Sequence, residues 1–470
     1  MKYFEILSKS DVEQIHEASL QVMGRVGLDI YYPPALKLLS MAGARVDGNR
    51  VFFSKKLVET QIKKAPEQFF LHARNPENNV IVGGENALFL PANCPPFVSD
   101  LDEGRRYGTL ADYENFVKLT GHSKNLDMSS NILIEPSDIP VEQRNVKMLY
   151  ATMKNTDKCF MGGALGRAGA DETMKMVAML FGIEQKQLPE KARVISIPCS
   201  LTPLKYDELM LECLISYAQA GQPVIVNSLA IAGATAPATL AGTLVVENSE
   251  VLAGIVIAQL VREGTPVVYG GASTSADMRT GALSVGAPEM ALNNIMTAQM
   301  ARYYKIPSRA VGALTEAKKV GSQSAYESMM NLTSAVSCGL NMILHAAGSL
   351  ESINCMSYEK FIIDDEMCGM AKRIKRGVNV TTETLGLEAI KDVGPGGHFL
   401  AHAHTFQHFR TESFMPQLGN RTSFDTWKKS NDKDMAQKAN QEWKRILSEY
   451  TPPELPPDVD ADLKSYIQSI

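Results

Sequence analysis

From about Ala87 onward, short apolar or β-branched runs alternate with stretches of helical periodicity, and each run ends in a polar, Gly- or Pro-containing loop. Eight such runs follow one another: "ALFLPANCPPF", "DMSSNILIEP", "KCFMGGALG", "ARVISIPCSLTP", "QPVIVNSLAIAG", "TPVVYGGASTSAD", "IPSRAVGALTEAK" and "LNMILHAAGSLES". Intervening pieces such as "KYDELMLECLISYAQAG" and "APEMALNNIMTAQMARYY" space their apolar residues as helices do and carry acidic residues toward their starts, where the helix dipole favours them. Eight strand–helix repeats over roughly 270 residues predict an α/β fold of the (β/α)8 TIM-barrel type, in preference to an open doubly wound sheet.

The flanks read differently. Residues 1–80 are expected to be a mainly helical cap: "SKSDVEQIHEASLQVMGRVGL" opens with a Ser–Asp start and sets Val12, Ile15, Val22, Met23 and Val26 at roughly helical spacing. The barrel takes residues 81–360. Residues 361–470 form a C-terminal helical extension packed on it, with the Pro-rich "YTPPELPPDVDADL" as an extended tether.

Composition narrows the function. The 470 residues are 45% hydrophobic and 21% charged, near globular averages, and the formal net charge of -5 lacks the basic footprint of a nucleic-acid binder. The seven cysteines stand singly with no CxxC pair, which points to a reducing compartment rather than a disulfide framework. The N-terminus shows no apolar leader and no window approaches eighteen uninterrupted apolar residues, so the chain is expected to be soluble and cytoplasmic, without a membrane partner.

In a barrel of this type the chemistry lies at the C-terminal strand ends and the loops that follow them. Candidates there are Asn93 and Phe97 after the first strand, Asn227 after the fifth, Tyr269 after the sixth, Glu316 and Lys318 after the seventh, and His345 ending the eighth. Four of the eight histidines crowd into Asp392–Glu412: His398, His402, His404 and His408. Laid on one helix, His398 and His402 share a face while His404 and His408 centre about 120° away, and "HFLAH" lacks the glutamate of HExxH. A structural or capping role is expected, not convergence on a metal. No GxSxG occurs, and "MGGALGRAGA" has glycines without dinucleotide-binding spacing.

Read in order, "NCPPFVSDLDEGRRYGT", "YGGASTSADMRTGALSVGAPE", "LTEAKKVGSQSAYESMMN", "GLNMILHAAGSLESINCMSYEKFIIDDEMCGM" and "DVGPGGHFLAHAHTFQHFRTESFMPQLGNRTSFDTW" resemble the trimethylamine methyltransferase (MttB-type) superfamily of corrinoid-dependent methyltransferases over nearly the whole chain. The resemblance implies a (β/α)8 barrel that passes a methyl group from an amine to Co(I) of a corrinoid (cobalamin) carried by a separate protein. The trimethylamine enzymes bear pyrrolysine at the barrel mouth, whereas this chain shows only the standard twenty residues, so it resembles the non-pyrrolysine branch acting on quaternary amines: glycine betaine, proline betaine or carnitine. That branch implies no metal in this chain, and a homo-oligomer.

A quaternary ammonium leaves as a neutral tertiary amine, so the protein's task is alignment and not proton donation. Aromatic or carboxylate walls around the ammonium would hold the charged ground state more tightly than a transition state whose charge is dispersing. Recognition is therefore expected at the remote carboxylate, through His345 first, with Arg279 and Lys318 behind it, and with Phe97, Tyr269 and Glu316 around the ammonium. Two other readings compete: a zinc-dependent barrel hydrolase built on the histidine cluster, and a non-catalytic betaine-binding partner of a corrinoid protein.

Overall fold

In a computed structural model describing residues 3–430 and 433–470, seven of the eight predicted runs hold a parallel strand. These are Leu88–Phe89, Met128–Ser129, Cys159–Phe160, Val224–Ser228, Val267–Gly271, Ser308–Val311 and Met342–Leu344. The eighth run, "ARVISIPCSLTP", pairs through isolated parallel bridges, Met161 with Ile195, Ser196 with Val224 and Cys199 with Asn227. From Val224–Ser228 the parallel ladder continues through Val267–Gly271, Ser308–Val311 and Met342–Leu344 to Leu88–Phe89. Asp127 N–H then donates to Phe89 O at 2.9 Å, next to the Met128–Ser129 strand.

A helix follows each parallel segment: Leu110–His122, Val141–Asn155, Gly166–Leu180, Glu208–Gln219, Leu240–Val261, Pro288–Tyr304, Ser322–Ser337 and Tyr358–Arg376. Local chemistry starts several of them. Thr109 and Asp112 form a reciprocal capping box, Asp207 and Ser357 cap their helices, and Pro288 sits at a first-turn position whose N–H has no helical partner anyway. Helix Leu240–Val261 is apolar and long enough to cross a membrane by composition alone, but most of it is buried within the molecule.

Strand alternation divides the core. Val226 and Tyr269 point outward into the layer shared with the helices, while Ile225, Val268, Met342 and Leu344 point inward. The antiparallel hairpin Gln68–Leu71/Val80–Gly83 adds Phe69, Leu71 and Val82 to that inner cluster. It lies toward the N-terminal ends of the strands, because Asn341, just ahead of Met342–Leu344, donates to Gly84 O and Asn86 O.

Residues 1–80 differ from expectation. Helices Lys9–Gln21, Pro33–Met41 and Lys55–Ile62 are present, but Leu28–Ile30, Arg45–Asp47 and Arg50–Phe52 build a small sheet with Lys205–Tyr206. Three-residue strands show no readable alternation, and one partner is far away in sequence. The Pro-rich tail is also only partly extended, since helix Pro457–Gln468 begins on its second Pro-Pro pair. Between them, helix Met435–Glu449 packs on Tyr358–Arg376, with Trp443 stacked on Tyr358 at 4.5 Å.

Candidate functional site

All eight parallel runs contribute their C-terminal ends to one cavity of about 440 Å³. Asn93, Asn131, Asn227, Arg309 and His345 supply its polar side chains deep in the fold, and each is buried. Leu229, Ala272, Leu283, Val285, Met290, Val311, Leu314 and Ile353 form an aliphatic wall that packs as one cluster. Glu135 is the one carboxylate of the lining among the described residues; it is exposed and paired with Arg144 at 2.6 Å. A wider depression between Tyr3, Phe4 and helix Ser322–Ser337 is lined, among the described residues, by no carboxylate, imidazole or cation.

The floor is built by register. Asn227, Gly270 and Arg309 are direct partners on three neighbouring strands, and Cys199 bridges to Asn227 on the far side. Adjacent strands lie about 4.8 Å apart, so Asn227 and Arg309 start roughly 10 Å from each other. Gly270 leaves the space between them open: a Cβ there would lie 2.9 Å from Asn227 Oδ1. Arg309 Nη1 crosses that gap to donate to Asn227 Oδ1 at 2.8 Å, and Asn227 Nδ2 donates to Cys199 Sγ at 3.4 Å.

Arg309 is 2% exposed, and its Nε finds no hydrogen-bond partner among the described residues. Burial pushes its guanidinium down to about 10, a value at which it still carries its charge at neutral pH. The carboxyl whose charge favours it, Glu247, is itself raised to about 7 by burial, so it compensates the cation only in part. A buried guanidinium with unfilled donors is costly until an anion reaches it.

His345 ends its strand in a left-handed conformation, φ 57°, and burial first, with Arg309 second, pushes its imidazole down to about 3. Its Nδ1 accepts from Asn93 N–H at 3.3 Å, which leaves the proton of the neutral ring on Nε2 as a donor. Asn93 is fixed in turn, its Oδ1 accepting from Ile132 N–H at 2.9 Å and its Nδ2 donating to Cys94 Sγ at 3.1 Å. Among the described residues, Cys94, His345 and Ile353 are three of seven non-glycine residues with positive φ, so backbone strain concentrates around this cavity.

Of the residues singled out in the sequence, His345 and Asn227 line the cavity, as does Asn93, and the other five do not. Tyr269 has the opposite parity to Gly270, points outward and donates to Asn248 Oδ1 at 3.0 Å. Phe97 joins a satellite cluster with Ala317, Leu350 and Cys355, its face covered by the Arg105 guanidinium at 3.6 Å. Arg279 stands at an exposed hairpin tip, 88% exposed and neutralised by Asp277 at 2.7 Å. Lys318 is exposed and donates to Glu316 O at 2.8 Å. Glu316 is half-buried beside Glu327 and accepts from Gly286 N–H at 2.7 Å, so its carboxylate faces the backbone and not the cavity.

The histidine cluster lies in the extension, away from this floor. The helix there is Ala403–Glu412, so His398 precedes it and His402 is its N-cap, Nδ1 accepting from His404 N–H at 3.1 Å. The two-face phasing expected for four helical histidines therefore reduces to one i, i+4 pair, His404 and His408, with ring centroids 4.3 Å apart beside Glu383.

Arg309 was missed in the sequence although its run was identified. The readable signal was a charge inside a short strand, at the same parity as the cavity-lining Val311.

With this fold and site, the chain belongs to a family of methyltransferases: the trimethylamine methyltransferase (MTTB) family model matches residues 1–469. Among individual relatives, the glycine betaine methyltransferase of Desulfitobacterium hafniense (strain Y51) is 46% identical over 464 residues, covering 99% of this chain and 96% of that protein. The proline betaine:corrinoid methyltransferase of Eubacterium limosum is 29% identical, covering 96% and 95%. The monomethylamine methyltransferase structure from Methanosarcina barkeri shares the mixed α/β fold with TM-score 0.53 at 13% identity, covering 99% of this chain and 88% of that one.

Proposed function

We propose that this protein removes a methyl group from a small quaternary amine bearing a carboxylate, glycine betaine first and proline betaine or carnitine as larger variants, and delivers it to the corrinoid of a separate cognate protein. The observation that carries the reading is Arg309: a buried cation with no carboxylate hydrogen-bonded to it among the described residues, set at the floor of a cavity that has an aliphatic wall on one side. The carboxylate goes down onto Arg309, with His345 Nε2–H as a second donor. The methylated nitrogen then lies against Leu229, Leu283, Val285, Met290 and Ile353, with one methyl turned to the mouth.

This orientation suits the chemistry. The corrinoid supplies the nucleophile that takes the methyl group, while the C–N bonding pair stays on nitrogen. The departing tertiary amine is neutral, so His345 need not carry a transferable proton, in keeping with its low basicity. No Phe, Tyr or Trp side chain belongs to the lining among the described residues, which avoids clamping a cationic ground state whose charge must disperse.

The same reading takes the parallel segments as a closed (β/α)8 barrel over residues 81–360, supported by the ladder that returns to Leu88–Phe89. Residues 1–80 form its cap and residues 361–470 its extension. It assigns a cytoplasmic homo-oligomer with no metal of its own, no nucleic-acid partner and no membrane partner. The test is a spectral assay of cobalamin methylation with reduced cobalamin or a corrinoid protein and a panel of glycine betaine, proline betaine, carnitine and trimethylamine. Methylation from a betaine and not from trimethylamine is expected; none from any quaternary amine overturns the reading.

A further inference from the structure

We infer that Asn227 is the charge-selecting residue of this cavity: by meeting Arg309 with a neutral amide and not a carboxylate, it reserves the guanidinium charge for the ligand and makes the site choose a zwitterionic betaine over a plain quaternary cation. This rests on the proposed function and adds to it the basis of its specificity. Asn227 sits where a counter-ion would be expected. It is two strands from Arg309 in the same row, the contact is 2.8 Å, and Gly270 holds the space between them open.

An aspartate at 227 would have the same shape and reach and would form a charge-assisted pair with Arg309. It would fill the donor and cancel the charge at once. Asparagine fills the one donor, Nη1, and leaves the charge uncancelled. Its orientation is fixed, because Arg309 is only a donor and so faces Oδ1, which sends Nδ2 toward Cys199 Sγ at 3.4 Å. The amide thus steers one arm of the guanidinium without neutralising it, and the charge of Arg309, a residue that lines the cavity, stays available to a ligand. Asn227 is a positioning residue here: it acts on the ligand through Arg309.

Choline offers the discriminating comparison, having the same trimethylammonium group and no carboxylate. Direct binding of glycine betaine and of choline is measured by calorimetry on the intact protein, with no corrinoid present. The wild type is expected to prefer glycine betaine by 100-fold or more. Asn227→Asp is expected to collapse that preference by about 100-fold, mostly through lost betaine affinity, whereas Asn227→Ser, which is neutral, keeps it within about threefold. If Asn227→Asp does not fold, Arg309→Gln is expected to collapse the same ratio. A betaine-to-choline ratio unchanged in Asn227→Asp, or in Arg309→Gln where it substitutes, overturns the inference, as does a collapse of equal size in Asn227→Ser. Wild-type binding of betaine without methyl transfer from any quaternary amine would instead count against the proposed function.

Discussion

Two polar clusters in this chain, one scattered along the sequence and one contiguous, differ in almost every physical respect. The floor of the cavity (Asn93, Asn227, Arg309 and His345) is drawn from the ends of different strands and is buried throughout. The histidine cluster comes from one continuous stretch of the extension, where neighbours such as Leu400 and Phe406 are 81% and 65% exposed. Burial shifts the basicity of Arg309 and His345 and leaves donors unfilled. In the extension the same chemical groups cap a helix and touch Glu383 at the surface. The lesson is that convergence across the fold, and not density along the chain, makes a reactive or recognising site.

The largest effect separating the two regions is expected at Arg309. Removing the charge in Arg309→Gln should lower kcat/KM for glycine betaine by about a thousandfold, the roughly 4 kcal/mol that an unpaired buried charge partner is worth. Next comes His345→Ala, which deletes one ligand donor and should cost about 10- to 100-fold, in line with roughly 1–3 kcal/mol for a lost buried hydrogen bond.

His345 also gives a pH signature. Its folded-state basicity, near 3, lies below the usual histidine value of 6.5, so between those values the unfolded chain binds a proton that the folded chain does not. Stability should therefore be fully present above pH 6.5 and fall as the pH drops toward 3, by up to about 1.4 kcal/mol per pH unit from this group. Urea unfolding at pH 7 and pH 5 should show a shallower loss in His345→Gln than in the wild type.

A smaller effect is expected at the aliphatic wall. Glu351, Ser352 and Ile353 are consecutive left-handed residues, φ 54°, 52° and 81°, held by Glu351 N–H to Ala317 O and Ser352 N–H to Thr315 O at 3.0 Å each. They press Ile353 into the wall beside Leu283. Ile353→Ala should shift the ratio of kcat/KM values toward proline betaine or carnitine by about tenfold, the scale on which a hydrophobic pocket discriminates methylenes. The smallest effect belongs to the other cluster: His404→Ala should leave methyl transfer unchanged and alter stability by no more than about 0.5 kcal/mol. A large loss of activity there would erase the contrast between the regions.

The fold was legible where β-branched runs end in glycine- or proline-containing loops, and each of the eight runs holds a parallel strand or bridge. Position at a strand end was enough to find His345 and Asn227. Tyr269 misled because its strand continues two residues to Gly271, and one step of parity turns a side chain from the cavity to the helices. Arg279 and Lys318 misled because charge alone says nothing of burial; both stand in solvent next to their own partners. Arg309 and Gly270 become meaningful only together with Asn227, through a register between strands that lie far apart along the chain.

The most direct measurement is a crystal structure of the protein with glycine betaine bound. The carboxylate should lie within hydrogen-bond distance of the Arg309 guanidinium and His345 Nε2, with the trimethylammonium group against Leu283 and Ile353 and one N–CH3 bond directed out of the mouth. A ligand seated with its ammonium at the floor, or outside this cavity altogether, would contradict the account.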